Sequence, residues 1–195
     1  MSGPSLGEPP ASLAGFPASR PPTVLVRVCR QRNPTWWFSS DGTGRFDLTS
    51  PEGTCYFATD TFGAVREASR AGPVTPQWVA DRGVRHAAPP DRPARLAAVT
   101  RAGAAVFGLT TELVTVTPYD LPRRWAAAFR RAKFAGIRRE LRHDPRARPS
   151  GVSLFGPAGD PGWPTVRTEQ LQPATVEAAG VAVIDIPPAA AVTIV

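Results

Sequence analysis

The chain has one lysine, Lys133, two histidines, His86 and His143, and two cysteines, Cys29 and Cys55. Each scarcity removes a class of chemistry. Two cysteines without Cys or His partners at ligand spacing match no zinc pattern and no disulfide scaffold. They read as small buried thiols. The two histidines lie far apart, so no metal cage is expected. A G-x-S-x-G elbow and a phosphate-binding P-loop are both missing. No apolar run approaches the ~18 residues that would mark a membrane-spanning helix. The opening "MSGPSLGEPPASLAGFPASRPP" has neither the basic start nor the continuous apolar stretch of a secretory signal. A cytoplasmic protein with no membrane association is therefore expected.

Arginine, proline and glycine are plentiful instead. Of 23 Lys and Arg residues 22 are arginine, and the formal net charge is +7. Together with abundant Ala, Pro and Gly, this bias matches the codon usage of a GC-rich genome, which weakens any step from charge to nucleic acid. Arginine is nevertheless the better side chain for gripping phosphate with paired donors. The length, 195 residues with 42% hydrophobic, suits one domain with tails.

Residues 1–22, dominated by Pro, Gly, Ser and Ala, read as a disordered leader. "TVLVRVCR", 23–30, alternates and is rich in valine, so a strand is expected, with Arg27 near its middle. A loop with two tryptophans follows, then "DGTGRF", where Arg45 stands beside Gly44. "TCYFAT", 54–59, is a short strand carrying Tyr56. Thr59, Asp60 and Thr61 are potential N-caps for a helix over 61–70. On that helix Glu67 shares a small-residue stripe with Ala64, Ala68 and Ala71, a face that approaches its neighbours closely. Residues 71–95 read as a long irregular connection. A strand is expected at 94–100, and a short helix closed by Gly108 after it. "ELVTVTP" fits either strand or helix. The clearest helix is 120–136, with Asp120 as N-cap and Leu121, Trp125, Ala128, Phe129 and Ala132 on its apolar face. "IRRELRHDPRARPSG" reads as a basic loop or irregular strand, and "VSLFG", 152–156, as a core strand. The segment "AGVAVIDI" in the tail suits an edge strand. Strands and helices do not alternate regularly, so the fold class is α+β with a mixed or antiparallel sheet.

Arg45, Tyr56 and Glu67 fall within one strand–turn–helix unit, with Arg27 on the neighbouring strand. Each also has a plain structural role: a solvated loop arginine, a core tyrosine, and a Glu67–Arg70 pair on a helix surface.

The stretch "WWFSSDGTGRFDL…GTCYFATDTFGAVREA", followed by "FAGIRRELRHDP" and "SGVSLFG", resembles the RES-domain family. That family is named for an arginine, a glutamate and a serine. The resemblance spans about residues 23–160, leaving 161–195 as a C-terminal extension expected to pack on the domain. It implies an ADP-ribosyltransferase-like fold and a toxin of a toxin–antitoxin pair that degrades NAD⁺ as substrate, by phosphorolysis with inorganic phosphate or by hydrolysis. The partner implied is an antitoxin covering the active cleft. Under the resemblance, Arg45 and Glu67 correspond to the named arginine and glutamate, Tyr56 to the family's strand tyrosine, and Arg27 to a first-strand arginine. The slot for the serine, shortly after Gly136-Ile137, holds Leu141, and Ser153 is the nearest later serine. Gly44 would let the loop approach a diphosphate without a Cβ clash. A phosphate nucleophile calls for a second cationic site, for which 138–148 offers Arg138, Arg142 and His143. Two alternatives use the same residues differently: protein ADP-ribosyl transfer, or a non-catalytic basic module that binds RNA.

Overall fold

A computed structural model describes residues 5–88, 95–148 and 150–185. Its centre is an eight-stranded sheet of order β1-β5-β6-β7-β3-β2-β4-β8. The strands are β1 (Ala18–Ser19), β2 (Leu25–Arg30), β3 (Glu52–Ala58), β4 (Arg82–Ala87), β5 (Leu96–Ala98), β6 (Gly136–Arg139), β7 (Gly151–Pro157) and β8 (Arg167–Gln170). Pairing is antiparallel except between β5 and β6, which makes this a mixed α+β fold. The helices are α1 (Thr61–Ser69), α2 (Pro76–Ala80), α3 (Glu112–Thr115), α4 (Asp120–Arg131) and α5 (Pro173–Ala178), with a 3₁₀ turn at Ala102–Phe107.

Alternation along the strands separates two faces. Leu25, Cys55, Phe57, Val152 and Leu154 pack under Trp36 and Phe38 on one face. The helices cover the other face as two separate apolar clusters. One gathers Trp125, Phe129, Phe134, Ile137 and Phe155 around α4. The second gathers Val26, Val28, Ala64, Val65 and Val176 around α1 and α5. A polar gap lies between these clusters, and the cavity described below occupies it.

The leader, expected to be disordered, is packed from residue 5 onward. Leu6, Leu13 and Phe16 are buried in the α4 cluster, and Phe16 meets the rings of Phe107, Phe129 and Phe134 at 4.9–6.0 Å. Trp125 Nε1 donates to Gly7 O, and Arg124 grips Glu8 with two nitrogens. An extended proline-rich strap can fill a groove without any periodic pattern, so composition alone did not reveal it. The irregular connection expected at 71–95 holds α2 and β4, while residues 89–94 lie outside the described residues. In the tail, β8 extends the sheet beyond β4 and α5 buries Val176. "AGVAVIDI" does not form the expected edge strand: Val183 makes one isolated parallel bridge to Val74, and Ile186 lies outside the described residues. Asp120 opens α4 at its first helical position, one residue inside the expected cap, and pairs with Arg123.

Candidate active site

Each wall of the cavity has a local cause. Asp60 caps α1, its carboxylate accepting from Gly63 N at 2.8 Å. The helix lies on β2 through Val65, which is fully buried, and this places Ala64, Glu67 and Ala68 on the cavity. Phe62, one turn from Val65 on the sequence, is 44% exposed.

The opposite wall is the loop carrying Arg45, which is fastened to β3 through Asp47. One Asp47 oxygen accepts from Tyr56 Oη at 2.7 Å, and the other accepts from Ser39 Oγ at 2.8 Å and Gly44 N at 2.9 Å. Phe46 N donates to the same Tyr56 oxygen at 2.9 Å. Burial beside the Asp47 carboxylate pushes the Tyr56 hydroxyl well above its ordinary pKa. Tyr56 therefore stays neutral and holds the loop, while its ring lines the cavity.

This fastening by itself requires glycine at 44, which also lines the cavity. A Cβ at residue 44 would lie 2.5 Å from Tyr56 Oη and collide with Asp47 Oδ1. Gly42 takes a left-handed φ of +75°, the usual reason for glycine at a turn.

Arg45, Tyr56 and Glu67 thus border one cavity of about 360 Å³. Arg45 Nη1 donates to Val116 O, and its guanidinium lies 4.3 Å from the Tyr119 ring centroid. Nη2 is buried and has no protein partner. Desolvation, with Arg142 and Arg139 nearby, works against the charged state of Arg45, and Tyr119 partly offsets it. Glu67 is held at both oxygens: Oε1 accepts from His143 N at 3.2 Å, and Oε2 stands 3.8 Å from Arg139 Nη1. Arg142 and His143 line the same wall. Burial pushes the His143 imidazole below its usual pKa; Glu67 opposes this, and Arg142, Arg70 and Arg45 reinforce it. Arg45, Arg70, Arg139 and Arg142 against the single carboxylate Glu67 give a lining with net positive charge, suited to an anion that also presents hydroxyls.

Two of the expected ligand-binding residues have their polar atoms engaged within the protein. Arg27 borders the cavity, but its guanidinium donates to Thr35 O at 3.0 Å and Cys55 Sγ at 3.2 Å. That is the sheet face of Cys55 and Phe57, away from Glu67, because mid-strand neighbours alternate. Ser153 is fully buried on β7 beneath the cavity floor, where its hydroxyl accepts from Arg139 Nε at 3.1 Å. It holds Arg139 and is not among the residues that line the cavity. Arg138 pairs across from Val152 and lies on the far face too, so its neighbour Arg139 is the cavity cation.

One solved structure shares the fold. The M. tuberculosis MbcT–MbcA toxin–antitoxin complex contains a chain similar to this one at 12% identity and a TM-score of 0.61. The match covers 86% of this chain and 93% of that one. At such identity the likeness is one of fold. No family model and no curated protein matches the chain.

Sequence reasoning missed Asp47, Tyr119 and Arg139. Asp47 carried a readable signal, since Gly44-x-x-Asp47 is a local side-chain-to-backbone turn. For Arg139 the signal was alternation: had 136–139 been read as a strand, Ile137 inward would have placed Arg139 inward. Tyr119 had none, because only the packing of α4 brings it under Arg45. Among the described residues, no group of three or more His, Cys, Asp or Glu is placed to hold a metal ion. None of their helices is long and apolar enough to cross a membrane.

Proposed function

We propose that the cavity takes NAD⁺ as substrate, and that the chain cleaves its nicotinamide–ribose bond as a toxin restrained by an antitoxin laid over the cleft. One observation carries this reading. The Arg45 loop, whose guanidinium keeps a buried, unpartnered Nη2, and the α1 helix carrying Glu67 line one cavity from opposite walls. The RES-like motif supports the substrate, and the fold's likeness to a toxin–antitoxin complex supports the partner.

Nicotinamide leaves as a neutral molecule with the electron pair of the broken C–N bond, so no acid is required. Positive charge develops on the ribose ring, as in glycoside cleavage. Glu67 opposes that charge and holds ribose hydroxyls, an electrostatic contribution fixed before the reaction. Arg45 grips the pyrophosphate through charge-assisted hydrogen bonds. A phosphate or water oxygen then bonds to the ribose carbon. An anionic oxygen of phosphate dianion attacks without losing a proton, whereas water must release one, for which neutral His143 is the nearby acceptor.

Protein ADP-ribosyl transfer differs only in the acceptor. The RNA-binding alternative is weakened by the basic turn itself, since Arg146 and Arg148 are paired with Asp60 and Asp144. Incubating the purified chain with NAD⁺, with and without phosphate, tests the proposal. ADP-ribose-1″-phosphate formed only with phosphate means phosphorolysis; ADP-ribose means hydrolysis; label on protein means transfer. Intact NAD⁺ under every condition, from a folded protein, overturns it.

A further inference from the structure

The most deeply buried cation of the cavity is Arg139, only 5% exposed. A guanidinium at that depth needs several fixed partners. Nε donates to Ser153 Oγ at 3.1 Å and Nη1 to Glu140 O at 3.0 Å. The group lies 5.5 Å from the Phe46 ring centroid and 6.0 Å from that of Tyr56. Across the β6–β7 ladder, residue 151 is glycine, where a Cβ would press 3.1 Å from both Arg139 Cγ and Nη1. Ser153, itself fully buried, pairs with Tyr56 on one side and Ile137 on the other. The slot is therefore built around this one side chain. It also places a second cation near Arg45, whose charge Arg139 disfavours. Only Glu67 stands between the cavity arginines as a carboxylate, so the wall has positive charge to spare for an anion.

We infer that Arg139, held by Ser153, is the second phosphate-gripping residue of this cavity and that Arg45 and Arg139 together select a ligand bearing two linked phosphates. The inference rests on the function proposed above and goes further, making a pair of guanidinium groups the determinant of ligand class. Ser153 acts as a positioning residue, because its hydroxyl reaches the ligand only through Arg139. Leu141, in the slot where a hydroxyl was expected, contributes apolar wall, so the hydroxyl of this region comes from β7 instead.

Calorimetric titration of the full chain with ADP and with AMP is the test, run beside the NAD⁺ assay. The wild type is expected to prefer ADP by about tenfold or more, since two charge-assisted contacts replace one. Arg139→Ala should bring that ratio close to one while the far-ultraviolet spectrum stays unchanged. Arg139→Lys, which keeps the charge and loses the fork, should restore part of it and covers the case of a poorly folded alanine variant. Ser153→Ala should lower the ratio by a smaller factor. A merely structural role for Arg139 would weaken both nucleotides alike and leave the ratio intact, which overturns the inference. If the wild type consumes NAD⁺ and Arg139→Ala keeps its ADP preference, this inference fails and the proposed function stands. If the wild type binds ADP through Arg139 but leaves NAD⁺ intact, the clamp stands and the enzymatic reading fails. A wild type that neither binds ADP nor consumes NAD⁺ overturns both.

Discussion

Arg146 and Arg148, in the turn after β6, differ from Arg45 and Arg139 only in what surrounds them. Arg146 binds Asp144 with Nε and Nη2 and reaches Asp60 at 3.1 Å, while Arg148 reaches Asp60 at 2.8 Å. Their charge is used inside the chain: Asp60 is the α1 cap, so the turn is stapled to the helix that carries Glu67. Arg45 instead has a buried nitrogen with no protein acceptor, and Arg139 has one distant carboxylate shared with the cavity. The same side chain is thus structural where carboxylates match it in number and has donors to spare where it outnumbers them. Counting arginines along the sequence cannot separate the two; counting the acceptors around each one can.

Substitutions that exchange the two roles would break this comparison. The largest effect is expected from Arg45→Ala or Glu67→Gln, each lowering NAD⁺ cleavage by about a hundredfold or more, as for loss of a preorganised charge contact. The thermal midpoint should hardly move. A large drop in midpoint with Arg45→Ala would place Arg45 in the structural group. Arg146→Ala should do the opposite, lowering stability by about 1–3 kcal/mol because the buried Asp144 carboxylate loses its main donor. Urea unfolding measures this, with cleavage by the folded protein kept within about tenfold of wild type.

The acid limb sharpens the same point. Arg146 holds the Asp144 carboxyl below its usual value, against the effect of burial. A folded pKa below the unfolded value of about 3.9 stabilises fully above that pH and is lost as pH falls through the folded pKa. The urea midpoint should therefore hold from pH 6 down to about pH 4 as far as this group is concerned and fall below that in the wild type, and fall less in Asp144→Asn. Gly44→Ala should cost about tenfold in cleavage by pushing the loop off Tyr56 and Asp47, since small misplacements of a catalytic group are costly. Arg138→Leu, on the far face, should change cleavage by less than about twofold.

The elements that depend on local pattern were legible. The helix at 61–70, the apolar face of α4 and the strands at β2, β3 and β7 follow from caps and periodicity, and their observed bounds differ from expectation by only a few residues. So was the strand–turn–helix unit with Arg45, Tyr56 and Glu67, because these residues are close in sequence. β4 and β6 were hidden by arginines that read as loop. Pairing on both edges of β4, and β6 seated between β5 and β7, outweigh that local polarity. The leader lacked any signal because its three anchors are irregularly spaced.

By itself the sequence determined the strand–turn–helix unit and the candidate side chains it carries, since short-range spacing sets which residues share a turn, a strand or a helix face. Only the tertiary structure decided which arginines are spare. That depends on sheet alternation turning Arg139 inward and Arg27 and Arg138 outward, and on Asp60, from a distant segment, neutralising Arg148 and joining the local Asp144 on Arg146 while no carboxylate of the described residues reaches Arg45.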